Sequence, residues 1–111
     1  MTETLDLFAA AAPAWLVCPG SQLERRFAEF HQDNPQVFAE FERRCLALAA
    51  RGRRRVGSKA VWESMRFDSL IQTEGEPWRL NNSYTALMSR LLLWHHPELQ
   101  GVIETRGHAA A

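Results

Sequence analysis

Apolar residues along this chain recur at helical spacing. Leu23, Phe27 and Phe30 stand at i, i+4 and i+7, which predicts one buried face of a helix over 21–33. Ser21-Gln-Leu-Glu24 at its start is a capping box: the serine oxygen accepts from the first turn while the glutamate reaches back. Asn34-Pro35 then restarts the chain, with Asn as N-cap and Pro at the first helical position, where its missing N–H costs nothing. Val37, Phe38, Phe41, Cys45, Leu48 and Ala49 form the next apolar stripe, Glu40, Glu42, Arg43 and Arg44 take the wet face, and Gly52 is the expected left-handed terminator.

A third helix is predicted from an N-cap at Ser58 to about Gln72, with Val61, Trp62, Met65, Ser69 and Leu70 on or near one face. Residues 73–77 hold the Gly and Pro of a turn. Trp78-Arg79-Leu80 reads as a short extended stretch whose natural partner is the segment from Arg54 to Val56. Asn81 or Asn82 caps a fourth helix carrying Tyr84, Leu87, Met88, Leu91, Leu92 and His95. Pro97 closes that helix and opens a last short one with Leu99, Val102 and Ile103 apolar. Ahead of all these, a short helix over 4–12 is stopped by Pro13, and Trp15, Leu16 and Val17 look like an anchor that docks on the body.

These elements predict an all-α fold: a compact single domain of four main helices plus a short C-terminal helix, with at most a minimal two-stranded patch. Residues 1–18 form an N-terminal arm, 19–106 the helical domain and 107–111 a disordered tail. A chain of 111 residues suffices for one core and is too short for two. Its 46% hydrophobic and 23% charged content excludes a generally disordered chain. No apolar run approaches the roughly 20 residues of a membrane span, so no membrane partner is expected. Cys18 and Cys45 belong to no metal or redox spacing pattern, and Glu3 and Asp6 stand where a secretory signal carries basic residues. Both cysteines are therefore expected as reduced thiols in a cytoplasmic protein.

Charge changes this picture. The formal net charge is zero, yet Arg43, Arg44, Arg51, Arg53, Arg54, Arg55 and Lys59 follow one another with no acid between them. A local positive field on a neutral body is implied. Arg51, Arg53, Arg54, Arg55 and Lys59 precede a helix start, so they suit phosphate contacts, because guanidinium forks match phosphate and free N–H groups favour anions. The same residues also fit a solvated charge cluster balanced by acids elsewhere. Asn81, Asn82 and Ser83, with Arg90 further along the helix, form a candidate surface for reading double-stranded DNA, since Asn pairs bidentately with adenine. Asn and Ser are equally ordinary capping residues. The two helices around the 73–77 turn suggest a helix-turn-helix variant, with a connector longer than the usual three or four residues.

The stretch Leu91-Leu92-Leu93-Trp94 is apolar nearly all round its helix. Either the helix is central to the core, or Leu93 and Trp94 meet a second copy of the chain or another protein. His95 and His96 are adjacent and diverge by about 100° on a helix, which does not suit a metal in the usual i, i+4 manner. Zinc-protease, phosphate-loop, serine-hydrolase and Cys–His patterns are absent, so no enzyme, metal or cofactor is expected.

Three stretches carry a resemblance: Phe27-Ala-Glu-Phe30-His31-Gln-Asp-Asn34-Pro35, then Trp62-Glu63-Ser-Met-Arg66, then Leu80-Asn81-Asn82-Ser83-Tyr84 with Arg90-Leu91 and Pro97. Together they resemble a family of small uncharacterised bacteriophage and prophage proteins, over roughly residues 20–106. Ser83 stands where that family usually has a third Asn, and aromatics are usual near Leu87 and Met88. The resemblance implies a helical fold and a phage or prophage setting in a bacterial cytoplasm; in the alternative reading the protein met by Leu93 and Trp94 is a host or phage one. It carries no catalytic residue to this chain.

Overall fold

A computed structural model describes residues 12–52, 54–66 and 82–104. Among them the chain runs through α1 (Ala14–Val17), α2 (Gln22–Asp33), α3 (Pro35–Ala50), β1 (Val56–Gly57), α4 (Ser58–Arg66) and α5 (Asn82–His95). A single 3-10 turn (Pro97–Leu99) and β2 (Ile103–Glu104) complete it. The all-α fold with a minimal two-stranded patch is what the helical periodicity predicts. The helix expected over 4–12, the turn at 73–77, the 78–80 stretch and the 107–111 tail lie outside the described residues.

The start of α2 is the capping box in full. The Glu24 N–H donates to Ser21 Oγ at 3.1 Å, and the Gly20 N–H donates to Glu24 Oε1 at 2.9 Å. One residue, Asn34, separates α2 from α3. Its side chain does not cap α3 as expected; the amide instead donates to the Phe30 carbonyl at 3.2 Å, closing the helix behind it. Asn34 is buried, so this bond replaces water for a group that burial would leave costly. Past α3, Gly52 adopts φ +83°, the left-handed terminator its position suggests.

Phe27, Val37, Phe41, Cys45, Trp62, Met65, Met88, Leu91 and Leu92 form one continuous core between α2, α3, α4 and α5. Trp62 meets Phe41 edge-on at 6.3 Å, and Phe27 meets Tyr84 edge-on at 5.6 Å. Helix α5 is thus central, which accounts for its near-continuous apolar surface. In α1, Trp15 and Leu16 pack against this core while Val17 is 63% exposed, so only part of the expected anchor docks.

The last segment departs from expectation. The helix opened by Pro97 is a single 3-10 turn, and Gly101 at φ +90° redirects the chain. Ile103, read as helical, leaves that turn and enters β2, which lies parallel to β1 with Val56 opposite Ile103 and Gly57 opposite Glu104. The Val56 N–H donates to the Val102 carbonyl at 2.8 Å. The expected short strand near Val56 therefore exists, but its partner among the described residues comes from the C-terminal segment. No helix of the described residues is long and apolar enough to cross a membrane.

Candidate nucleic-acid interface

The basic turn is pinned at both ends. Before it, α3 ends at Ala50 and Arg51 takes the C-cap position. After it, β1 locks into β2, and buried Ser58 donates from Oγ to the Glu104 carbonyl at 2.9 Å. Ser58, expected as a local N-cap, is the first residue of α4 and bonds across the chain instead. The turn is thereby held against the body.

Four arginines, Arg43, Arg44, Arg51 and Arg55, line an open groove of about 390 Å³ between α3 and α4, with Leu48, Val56, Val61 and Ser64 also on its walls. Among the described residues no carboxylate lines it. Two of the four spring from α3, one from its C-cap and one from the residue before β1, so the groove exists because the β1–β2 pairing brings the end of the turn back beside α3. Helical periodicity alone marks Arg43 and Arg44 as ordinary wet-face residues. Their membership in this site was hidden because it depends on long-range packing; the uninterrupted basic run from Arg43 to Lys59 was the one signal for it.

The electrostatics of the groove are uneven. Arg51, Arg54 and Lys59 are exposed and have no ion-pair partner among the described residues. Arg55 meets Glu104 at 3.4 Å, a long and exposed pair. Glu40 binds Arg43 through both oxygens, at 3.0 Å to Nε and 2.5 Å to Nη2, and accepts from Arg44 Nε at 2.5 Å. The two guanidinium hydrogen bonds hold its carboxyl well below the usual range, at about 2. Arg44 Nη1 also donates to Ser64 Oγ at 3.0 Å, and that hydroxyl donates to the Val61 carbonyl at 2.6 Å, tying α3 to α4.

Among the other candidates, Asn82 and Ser83 occupy the first positions of α5, whereas Arg53 and Asn81 lie outside the described residues. Arg90 does not line the groove. Its guanidinium lies over the Trp15 ring, 4.7 Å from the centroid, and pairs with Glu24 at 3.6 Å, which fastens α1 and α2 to α5. Leu93 is half-buried against the core, and Trp94 is 39% exposed, edge-on to His95 at 4.9 Å. Among the described residues no group of three or more His, Cys, Asp or Glu side chains could hold a metal ion.

Histidines cluster at the opposite ends of the core helices. His31 stacks on Phe27 at 6.0 Å and meets Phe38 edge-on. Its pKa is lowered, first by burial and then by His95. His96 sits between Glu42, at 2.7 Å, and Glu98, at 3.5 Å. Buried Cys45 has its thiol pushed up to about 12 by desolvation, which leaves it a packing residue with little thiolate character.

Compared with known proteins, the chain matches no family model, no curated protein and no solved structure.

Proposed function

We propose that this is a small, non-enzymatic DNA-binding protein that grips the phosphate backbone with its basic turn. The observation that carries the reading is the set of exposed cations in and next to the basic turn: Arg51 and weakly engaged Arg55 on the groove wall, with Arg54 and Lys59 close by in the chain, and Arg51, Arg54 and Lys59 without ion partners among the described residues. Like charges gathered this closely repel one another, and an anionic partner relieves that repulsion. Arginine supplies forks that fit phosphate oxygens bidentately.

In this reading Asn81, Asn82 and Ser83, at the start of α5, read base edges in the manner of an atypical helix-turn-helix. Arg90, engaged by Trp15 and Glu24, serves packing and leaves the reading surface to these three residues. The proposed setting, phage or prophage in a bacterial cytoplasm, rests on the sequence resemblance alone. A second reading, a protein-binding module acting through Leu93 and Trp94, is favoured by the exposure of the Trp94 ring. Leu93 packs inward, so that surface narrows to Trp94.

Fluorescence anisotropy on labelled duplexes tests the primary reading. Arg54→Ala is expected to weaken binding alike on every duplex and to flatten the salt slope by about 1. An unchanged affinity would remove the turn from the interface.

A further inference from the structure

Arg43 has the position of a phosphate contact without its freedom. It lines the groove with Arg51 and Arg55, and its side chain is 68% exposed. Its fork, however, is filled by Glu40 from one turn earlier on α3, through both carboxylate oxygens. Arg44 shares that carboxylate but differs in kind: it is largely covered and also bonds Ser64, so it acts as a strut between α3 and α4. A phosphodiester presents the same pair of acceptors to a guanidinium as a carboxylate does. Only one of them can occupy the Nε–Nη2 edge of Arg43.

We propose that the groove between α3 and α4 is a phosphodiester seat whose capacity is set by Glu40, which competes with the nucleic acid for Arg43. This deepens the DNA-binding reading and rests on it. Two consequences follow from the geometry. Glu40 removes one cation from the phosphate count and holds a negative charge against two of the groove's arginines, lowering affinity for any polyanion. Because the Arg43 side chain is exposed, it stays available to a phosphate once the charge of Glu40 is removed. Ionisation of Glu40 is complete at any working pH, as its carboxyl is held at about 2, so the competition acts as a fixed setting.

Glu40→Gln keeps the length and helix propensity of the side chain and can still accept a bond from Arg44, but it removes the charge. The test measures duplex DNA affinity over a salt series for wild type, Glu40→Gln, Arg43→Ala and the double variant, with melting curves to confirm that each is folded. One extra phosphate contact steepens the slope of log K against log salt by about 0.9. Glu40→Gln is expected to tighten binding and steepen the slope by that amount. Arg43→Ala should change little in the wild-type background and cancel the gain in the Glu40→Gln background. An unchanged slope in Glu40→Gln, or equal losses from Arg43→Ala in both backgrounds, overturns the proposal while leaving DNA binding standing. Absence of binding by wild type and Glu40→Gln alike overturns both.

Discussion

Ser58 shows how one hydroxyl can hold a functional loop in place. It is buried at the start of α4 and donates to the Glu104 carbonyl across the two-stranded patch. Removing it leaves a carbonyl without that donor, at a cost of about 1–2 kcal/mol. Ser58→Ala should therefore lower the stability measured by urea unfolding by that amount; a change within error would mean that β1 and β2 hold the turn without it. The sequence marked Ser58 as a helix start, which is correct, but its distant partner was invisible because nothing local to Ile103-Glu104 signals a strand.

His31 makes a second residue-scale forecast. Its folded pKa lies below 6.5, so the folded protein resists protonation that the unfolded chain accepts. Its contribution is complete above pH 6.5 and is lost as pH falls from 6.5 toward the folded value. His31→Gln should flatten that part of the stability–pH profile. An unaltered profile would assign the dependence to other groups.

Among elements, α5 bears on two readings at once. Its apolar surface on nearly every side left two possibilities in the sequence, a central helix or a helix with an exposed docking face. Packing separates them: Leu87, Met88, Leu91 and Leu92 are buried against α2, α3 and α4, and Leu93 adds to that core. Of the large apolar residues described on α5, only Trp94 is left substantially exposed. Trp94→Ala should then cost well below the 3–5 kcal/mol of a buried aromatic truncation and leave sedimentation behaviour unchanged. A shift from dimer to monomer would favour the protein-binding reading. Helices α2 and α3 were legible almost to the residue, because the capping box and Asn34-Pro35 are local signals. The C-terminal strand was not, since two residues are too few to show alternation and their pairing spans the chain.

At the scale of the molecule, a neutral chain concentrates cations on one groove and holds them there by a two-stranded clasp. The basic run was plain in the sequence; that α3 contributes Arg43 and Arg44 to the same surface was not, because only the fold returns the turn to that helix. Arg90, expected on the DNA-reading surface, contacts Trp15 and Glu24, partners that its place on α5 does not reveal. Glu40 and Glu104 offset part of the positive field, leaving Arg51, Arg54, Arg55 and Lys59 as the cations offered to a polyanion.

The measurement that bears most directly on this account is the salt dependence of duplex binding by the wild-type protein. Four phosphate contacts predict detectable binding at roughly 50 mM salt and a slope of log K against log salt near −3.6. No binding under those conditions, or a slope near zero, would contradict it.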